Sequence, residues 1–278
     1  AFNFTPYIGE VQAIASSGPY ITFNSKAISD PTGNNNNLAD FNEDILFDVT
    51  LENIGTGTAT AVTADISTSN SSIIITDNSE TYGDITSGNT ATQTDAYAVT
   101  IPDGIADQTS VPFSLDIMDG SSNSWTSQFS VLVNAPDINQ TFVDIDDSNG
   151  NNDGLLDPGE QVDINIEAYN NGHAGSDVAT CTMTSTSPYI TVNSSPVSLG
   201  AIGIGNTVPN THTFTVSPST PSGTVVDLKF TINSGAYTDE LIVTLNVGIQ
   251  LEDWESNTFT SYEWENQSQI PWIIVSTN

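Results

Sequence analysis

Short runs of alternating apolar and polar residues recur along the whole chain. Residues 45–53 read ILFDVTLEN, 62–69 VTADISTS, 111–118 VPFSLDIM and 129–134 FSVLVN. Further on come VDINIEAYN (162–170), HTFTVS (212–217), VVDLKFTIN (225–233) and LIVTLNVG (241–248). A period of two, bounded by Gly, Asn, Pro and Ser, is the pattern of a strand with one face buried and the other in water. Thr, Ser, Val, Ile and Asn dominate, and good helix formers are scarce. Many half-buried strands at regular spacing build sandwiches or barrels, so an all-β fold is expected.

The pattern repeats with an offset of 117 residues. Glu43 falls on Glu160, Asn53 on Asn170, Gly55 on Gly172, Gly83 on Gly200, Gly88 on Gly205 and Asn89 on Asn206. EDILFDVTLENIG and EQVDINIEAYNNG read as the same strand and turn, and IIITDNSETYGDI matches YITVNSSPVSLGAI. Copies of about 110 residues suit an immunoglobulin-like sandwich. The expected organisation is a lead segment (1–23), a first sandwich (24–135), a second (136–248) and a short C-terminal β segment (249–278). NAPD at 134–137 serves as linker. The last segment holds Trp254, Trp264 and Trp272, three of the four tryptophans. It is too short to bury a core alone. It reads either as a strand packed on the second sandwich or as the start of a jelly-roll-like domain.

Charge narrows the function. There are 34 acidic residues against two lysines, Lys26 and Lys229, and no arginine, for a net charge of −32. Nucleic acid and anionic membrane surfaces need a basic face and are excluded as partners. Acids in such excess must be solvated, screened by salt or bound to metal ions. The lone Cys181 excludes an internal disulfide. No apolar run is long enough for a membrane-spanning helix. The opening AFNFTPYIGE lacks the basic and apolar regions of a signal peptide, so the chain reads as a mature product or a piece of something longer.

The candidate chemistry lies in DIDDSNGNNDGLLDPGE, residues 144–160. From Asp147, oxygen-bearing side chains fall at alternate positions: Asp147, Asn149, Asn151 and Asp153, with Asp157 and Glu160 beyond. Hard cations such as Ca²⁺ take six to eight oxygens, and glycine permits the tight turning this needs. Asp147, Asp153 and Asp157 would supply charged oxygens, Asn149 and Asn151 amide oxygens, and Leu155 a carbonyl. Glu160 would tie the loop to the next strand, and Asp144 and Asp146 are near enough to join. The start is similar to an EF-hand loop, but Asn152 and Pro158 stand where glycine and glutamate belong, and no helix flanks it. The offset lays DPTGNNNNLADFNE (30–43) on this loop without a gap. Asp30, Asn34, Asn36, Asp40 and Glu43 then match Asp147, Asn151, Asp153, Asp157 and Glu160, with Thr32 in place of Asn149. One Ca²⁺ per sandwich is expected, bound more weakly by the first loop because it has fewer carboxylates. A plain solvated turn rich in Asn and Asp is the alternative. Binding would close a loop that like-charge repulsion holds open, and stabilise its sandwich.

No other constellation carries chemistry. His173 and His212 lack further N or S ligands for zinc. Cys181 sits in an alternating strand, as a buried structural thiol would. No nucleophile, zincin or phosphate-loop motif is present. No catalytic residue is expected. The terminal tryptophans suit either a core or sugar stacking.

NEDILFDVTLENIGTGTATAVTADIST and NDGLLDPGEQVDINIEAYNNGHAGSDV resemble the immunoglobulin-like accessory modules of secreted Bacteroidetes proteins, which are similar to bacterial cell-adhesion-related (CARDB-like) domains. LEDWESNTFTSYEWENQSQIPW resembles the opening of a cleaved-adhesin-like jelly roll. Together these cover roughly residues 27–270. The resemblance implies type IX export, an extracellular or cell-surface location, and a spacer, adhesin or fibre role. It implies a gingipain-type peptidase only as an upstream part of the same parent chain. Expected partners are other domains of that chain, surface glycans or neighbouring copies. The near absence of Lys and Arg departs from the family and points to a saline setting.

Overall fold

The structure is a computed structural model and describes residues 17–194 and 196–248. Among these there are sixteen strands and no helix. The first eight are β1 (Ile21–Ser29), β2 (Asp44–Asn53), β3 (Ala59–Thr68), β4 (Ile74–Asp77), β5 (Ser79–Ile85), β6 (Thr90–Thr100), β7 (Thr109–Met118) and β8 (Ser124–Val133). The second eight are β9 (Ile138–Asp146), β10 (Gln161–Asn170), β11 (Val178–Thr184), β12 (Ile190–Val192), β13 (Val197–Ala201), β14 (Thr207–Val216), β15 (Thr224–Ser234) and β16 (Tyr237–Val247). β1 begins inside the segment expected as a lead.

Each set of eight makes two antiparallel sheets, and the strand orders match. In the first set they are β1-β2-β6-β4 and β5-β3-β7-β8; in the second, β9-β10-β14-β12 and β13-β11-β15-β16. Alternation decides which face is buried. Ile45, Phe47, Val49 and Leu51 of β2 all turn inward, as do Val162, Ile164, Ile166 and Ala168 of β10. Two separate cores result, one drawn from residues 21–135 and one from 138–247. A fully buried Leu or Phe contributes roughly 1.5–3 kcal/mol, so a residue slip that exposed one such face would be prohibitive. Phe23, Phe47, Phe113 and Phe129 stack and edge together in the first core at 5.0–5.7 Å.

The repeated Asn and Gly have a structural role. Asn53 is fully buried at the end of β2; its Nδ2 donates to the Gly57 and Ile85 carbonyls, and its Oδ1 accepts the Tyr20 and Gly55 N–H groups. Asn170 does the same with Ala174, Ile202, Asp137 and Gly172. A Cβ on Gly55 would run into the backbone of Gly18 and Tyr20, and one on Gly172 into that of Ala135 and Asp137. Each buried amide therefore pins the strand through which the chain arrives. For the second sandwich that strand is the linker itself.

Further bonds dock the sandwiches together. Asp107 accepts the Ala135 and His173 N–H groups on Oδ1 at 2.9 and 3.2 Å, and its Oδ2 lies 2.7 Å from His173 Nδ1. Tyr237 of β16 packs edge-on against Phe41 at 5.2 Å and donates its hydroxyl to the Ile105 carbonyl at 2.9 Å. The ring thereby joins the edge of the first core.

Candidate cation-binding loops

The two predicted loops, 30–43 and 147–160, have the same hydrogen-bond framework. Gly33 N–H donates to the Asp30 carbonyl at 2.9 Å, and Gly150 N–H to the Asp147 carbonyl at 2.7 Å. Glu43 Oε1 accepts the Asn34 N–H at 3.0 Å, and Glu160 Oε1 the Asn151 N–H at 3.0 Å. Asn34 Oδ1 takes Asn36 N–H and Asn36 Oδ1 takes Leu38 N–H; Asn151 and Asp153 repeat both turns with Asp153 and Leu155. Asp30 and Asp147, both buried, cap backbone N–H groups at Asn37 and Gly154. Left-handed φ values recur in register: Asn35 at 59° with Asn152 at 61°, and Asn37 at 62° with Gly154 at 82°. Gly33 and Gly150 are required because a Cβ there would come within 2.5 Å of the Glu43 or Glu160 carboxylate.

The carboxylates are not left to repel one another across open space. Asn34 and Asn36 both donate Nδ2 to Asp40 Oδ2, at 2.7 and 2.8 Å. In the second loop Asn151 Nδ2 lies 3.1 Å from both Asp153 Oδ2 and Asp157 Oδ2. An amide N–H pair thus bridges carboxylates, where the sequence suggested an open loop. Among the described residues no group of three or more His, Cys, Asp or Glu side chains is disposed to hold a metal. The donor chemistry nonetheless fits a hard cation, and one carboxylate oxygen is closely enclosed. Glu43 Oε2 is buried with no hydrogen bond. Burial pushes the Glu43 carboxyl pKa up, the Asn34 N–H opposes this, the Asp40 and Asp30 charges add to it, and the Asp40 N–H opposes it again, as the Asp157 N–H does by donating to Glu160 Oε2 at 3.0 Å in the second loop. A cation at Glu43 and Asp40 would satisfy that oxygen and displace the amide N–H groups.

Not every predicted residue joins the framework. Asn149 and its counterpart Thr32 are exposed and take no part. Asp144 instead accepts Asn165 Nδ2 at 2.7 Å, and Asp146 accepts Ser148 N–H at 2.9 Å. Leu155 takes part through its N–H. Asn134, which the sequence did not single out, donates Nδ2 to Asp40 Oδ1 at 2.9 Å.

Location is the larger finding. Asp40 pairs in parallel with Asn134, whose N–H donates to the Ala39 carbonyl and whose carbonyl accepts Phe41 N–H. The second loop is tied likewise, Gly248 N–H donating to the Leu156 carbonyl at 2.7 Å. Both loops therefore grip the end of the last described strand of their sandwich, β8 or β16, although they precede β2 and β10 in sequence. Loop one also shares a cavity with Ala174, Gly175 and Asp177 of the second sandwich.

Cys181 and His212 both lie inside the second sandwich. Cys181 is fully buried beside Gln140, and desolvation pushes its thiol up to about 11. His212 is buried between Asn210 and Ser194. Trp254, Trp264 and Trp272 lie outside the described residues.

The molecule is thus an all-β pair of immunoglobulin-like sandwiches. No protein family and no curated protein matches the chain. Solved structures similar to it include red sea bream transglutaminase, at 11% identity and a TM-score of 0.32, covering 81% of this chain and 31% of that one. A protein of unknown function from Porphyromonas gingivalis W83 shows 11% identity and a TM-score of 0.23, covering 81% and 96%. Escherichia coli alpha-2-macroglobulin in its native conformation shows 10% and 0.32, covering 81% and 17%. The chain thus spans less than a third of the transglutaminase and of the macroglobulin.

Proposed function

We propose that this chain is a non-catalytic spacer or adhesive module of an extracellular or cell-surface protein, stiffened by one Ca²⁺ in each loop. The observation that carries the reading is the duplicated loop framework, in which Asp30, Asp40 and Glu43 recur as Asp147, Asp157 and Glu160 on matching backbone N–H groups. A framework that fixes the same backbone N–H groups and the same carboxylates twice is suited to a repeated ligand. Placing loop one on Asn134, at the start of the linker, lets a bound cation stiffen the path from the first sandwich to the second. Docking through Asp107, His173 and Tyr237 suits a spacer that transmits orientation.

Scanning calorimetry of the intact chain, in millimolar CaCl₂ and in excess chelator, tests this. Calcium should raise the melting temperature of both sandwiches, because a ligand that binds only the folded state stabilises it by mass action. An unchanged thermogram would remove the cation from the account.

A further inference from the structure

In the first sandwich, β1 and β8 end their respective sheets and pair with no further strand among the described residues, the Asp40–Asn134 bridge lying just beyond the end of β8. At one point Ser127 draws them together: its Oγ accepts the Phe23 N–H at 3.0 Å and meets Thr22 Oγ1 at 3.1 Å. Nearer the junction no such bond joins them among the described residues. A groove of about 430 Å³ opens there, bordered by Lys26, Ile28, Leu132, Leu38 and, from the second sandwich, His173.

Two features set this groove apart. Edge strands are normally blunted by charge, proline or brevity, because their free N–H and C=O groups invite another strand. β1 carries Lys26, β9 carries Asp144 and Asp146, and β16 carries Asp239 and Glu240. β8, SWTSQFSVLV, is ten residues long with no charge and no proline, and it exposes Leu132 at 56%. The second feature is Lys26. Lys229 pairs with Glu240 at 2.6 Å, but the Lys26 ammonium has no acidic partner among the described residues and sits 6.0 Å from the Phe129 ring. Burial lowers its pKa, with no carboxylate raising it again. In a chain of net charge −32 with two lysines, Lys26 is the one without an acidic partner among the described residues, and so the group there that could pair with a carboxylate.

We propose that the β8 edge accepts an extended peptide strand that sets one carboxylate against Lys26 and apolar side chains against Leu38 and Leu132. Backbone bonds to β8 supply affinity and the lysine supplies selectivity, as in strand-addition recognition. Residues 129–133, at about 3.3 Å each, give room for roughly four or five peptide residues. Nothing in this proposal requires a bound cation.

The test is to pan the intact chain against a displayed random heptapeptide library. Enriched peptides are then measured by fluorescence anisotropy against wild type, Lys26→Gln and Leu132→Lys. Unchanged urea midpoints establish that the variants fold. Expected are sequences alternating Val, Ile or Thr around one Asp or Glu, at least tenfold weaker binding to Lys26→Gln, and loss of binding to Leu132→Lys. Hydrogen exchange should slow at residues 129–133 when peptide binds. No enrichment, enriched peptides without an acid, or equal binding to all three proteins would overturn the proposal. So would complete competition by decanoate, which would mark a pocket for a small amphiphile.

Discussion

The two acidic loops share a framework but not surroundings. In the first, Asp40 takes Nδ2 donors from Asn34, Asn36 and Asn134, and the next residue, Phe41, packs on Tyr237 of the other sandwich. In the second, Asp157 takes one such donor, from Asn151, and Pro158 stands in place of Phe41. Loop one is therefore part of a domain junction, while loop two closes only its own sandwich among the described residues. The duplicated bonds set the loop conformation; the unduplicated aromatic contacts decide whether that conformation is felt by a neighbour.

The largest effects should come from the duplicated parts. Asn53→Ala or Asn170→Ala strands several buried N–H and C=O groups, and each should cost its sandwich on the order of 4 kcal/mol in urea unfolding. Asn170→Ala alone should also loosen the linker, read as a larger radius in small-angle scattering. Equal loosening by both would show that Asn170 has no special hold on the linker.

Tyr237→Ala comes next, at about 2–3 kcal/mol of coupling. It should split a shared thermal transition into two, whereas Pro158→Ala should leave coupling unchanged. Glu43→Gln should act with opposite sign in two conditions. Without calcium it removes a desolvated charge beside Asp40 and Asp30, raising the first sandwich's stability by about 1 kcal/mol; with calcium it should lower it. The pKa direction agrees, since a carboxyl raised above 4.5 in the fold disfavours folding as pH rises through that window.

The smallest effect separates the sandwiches by pH. Burial lowers the His212 pKa from 6.5, so below pH 6.5 the unfolded chain takes up the proton first. The stability contributed by neutral His212 is complete above pH 6.5 and shrinks as pH falls toward the folded-state value. Between pH 7 and pH 5 the second sandwich should lose melting temperature from this cause; the first contains no histidine.

Much of this architecture is legible in the sequence. Strands with bulky inward residues, such as β2, β7, β10 and β15, stand out because alternation is their burial pattern. β1, β6 and β9 are harder to read, since ITFNSKAIS, TATQTDAYAVT and INQTFVDID interrupt the period with bulges or put polar residues on both faces. The offset of 117 made the loop register readable, because each position has a twin. Asn134 and the Asp107–His173 pair were not readable. They join residues far apart in sequence, and neither contact recurs in the other sandwich. The place of loop one was equally hidden, since a segment that precedes β2 in sequence lies beside the end of β8 in space.

The most direct test is calorimetric titration of Ca²⁺ into wild type, Glu43→Gln and Glu160→Gln. Two sites are expected in wild type and one in each variant, with interdomain energy transfer responding to calcium only while the first site is intact. No binding heat in wild type, or undiminished stoichiometry in both variants, would contradict that expectation.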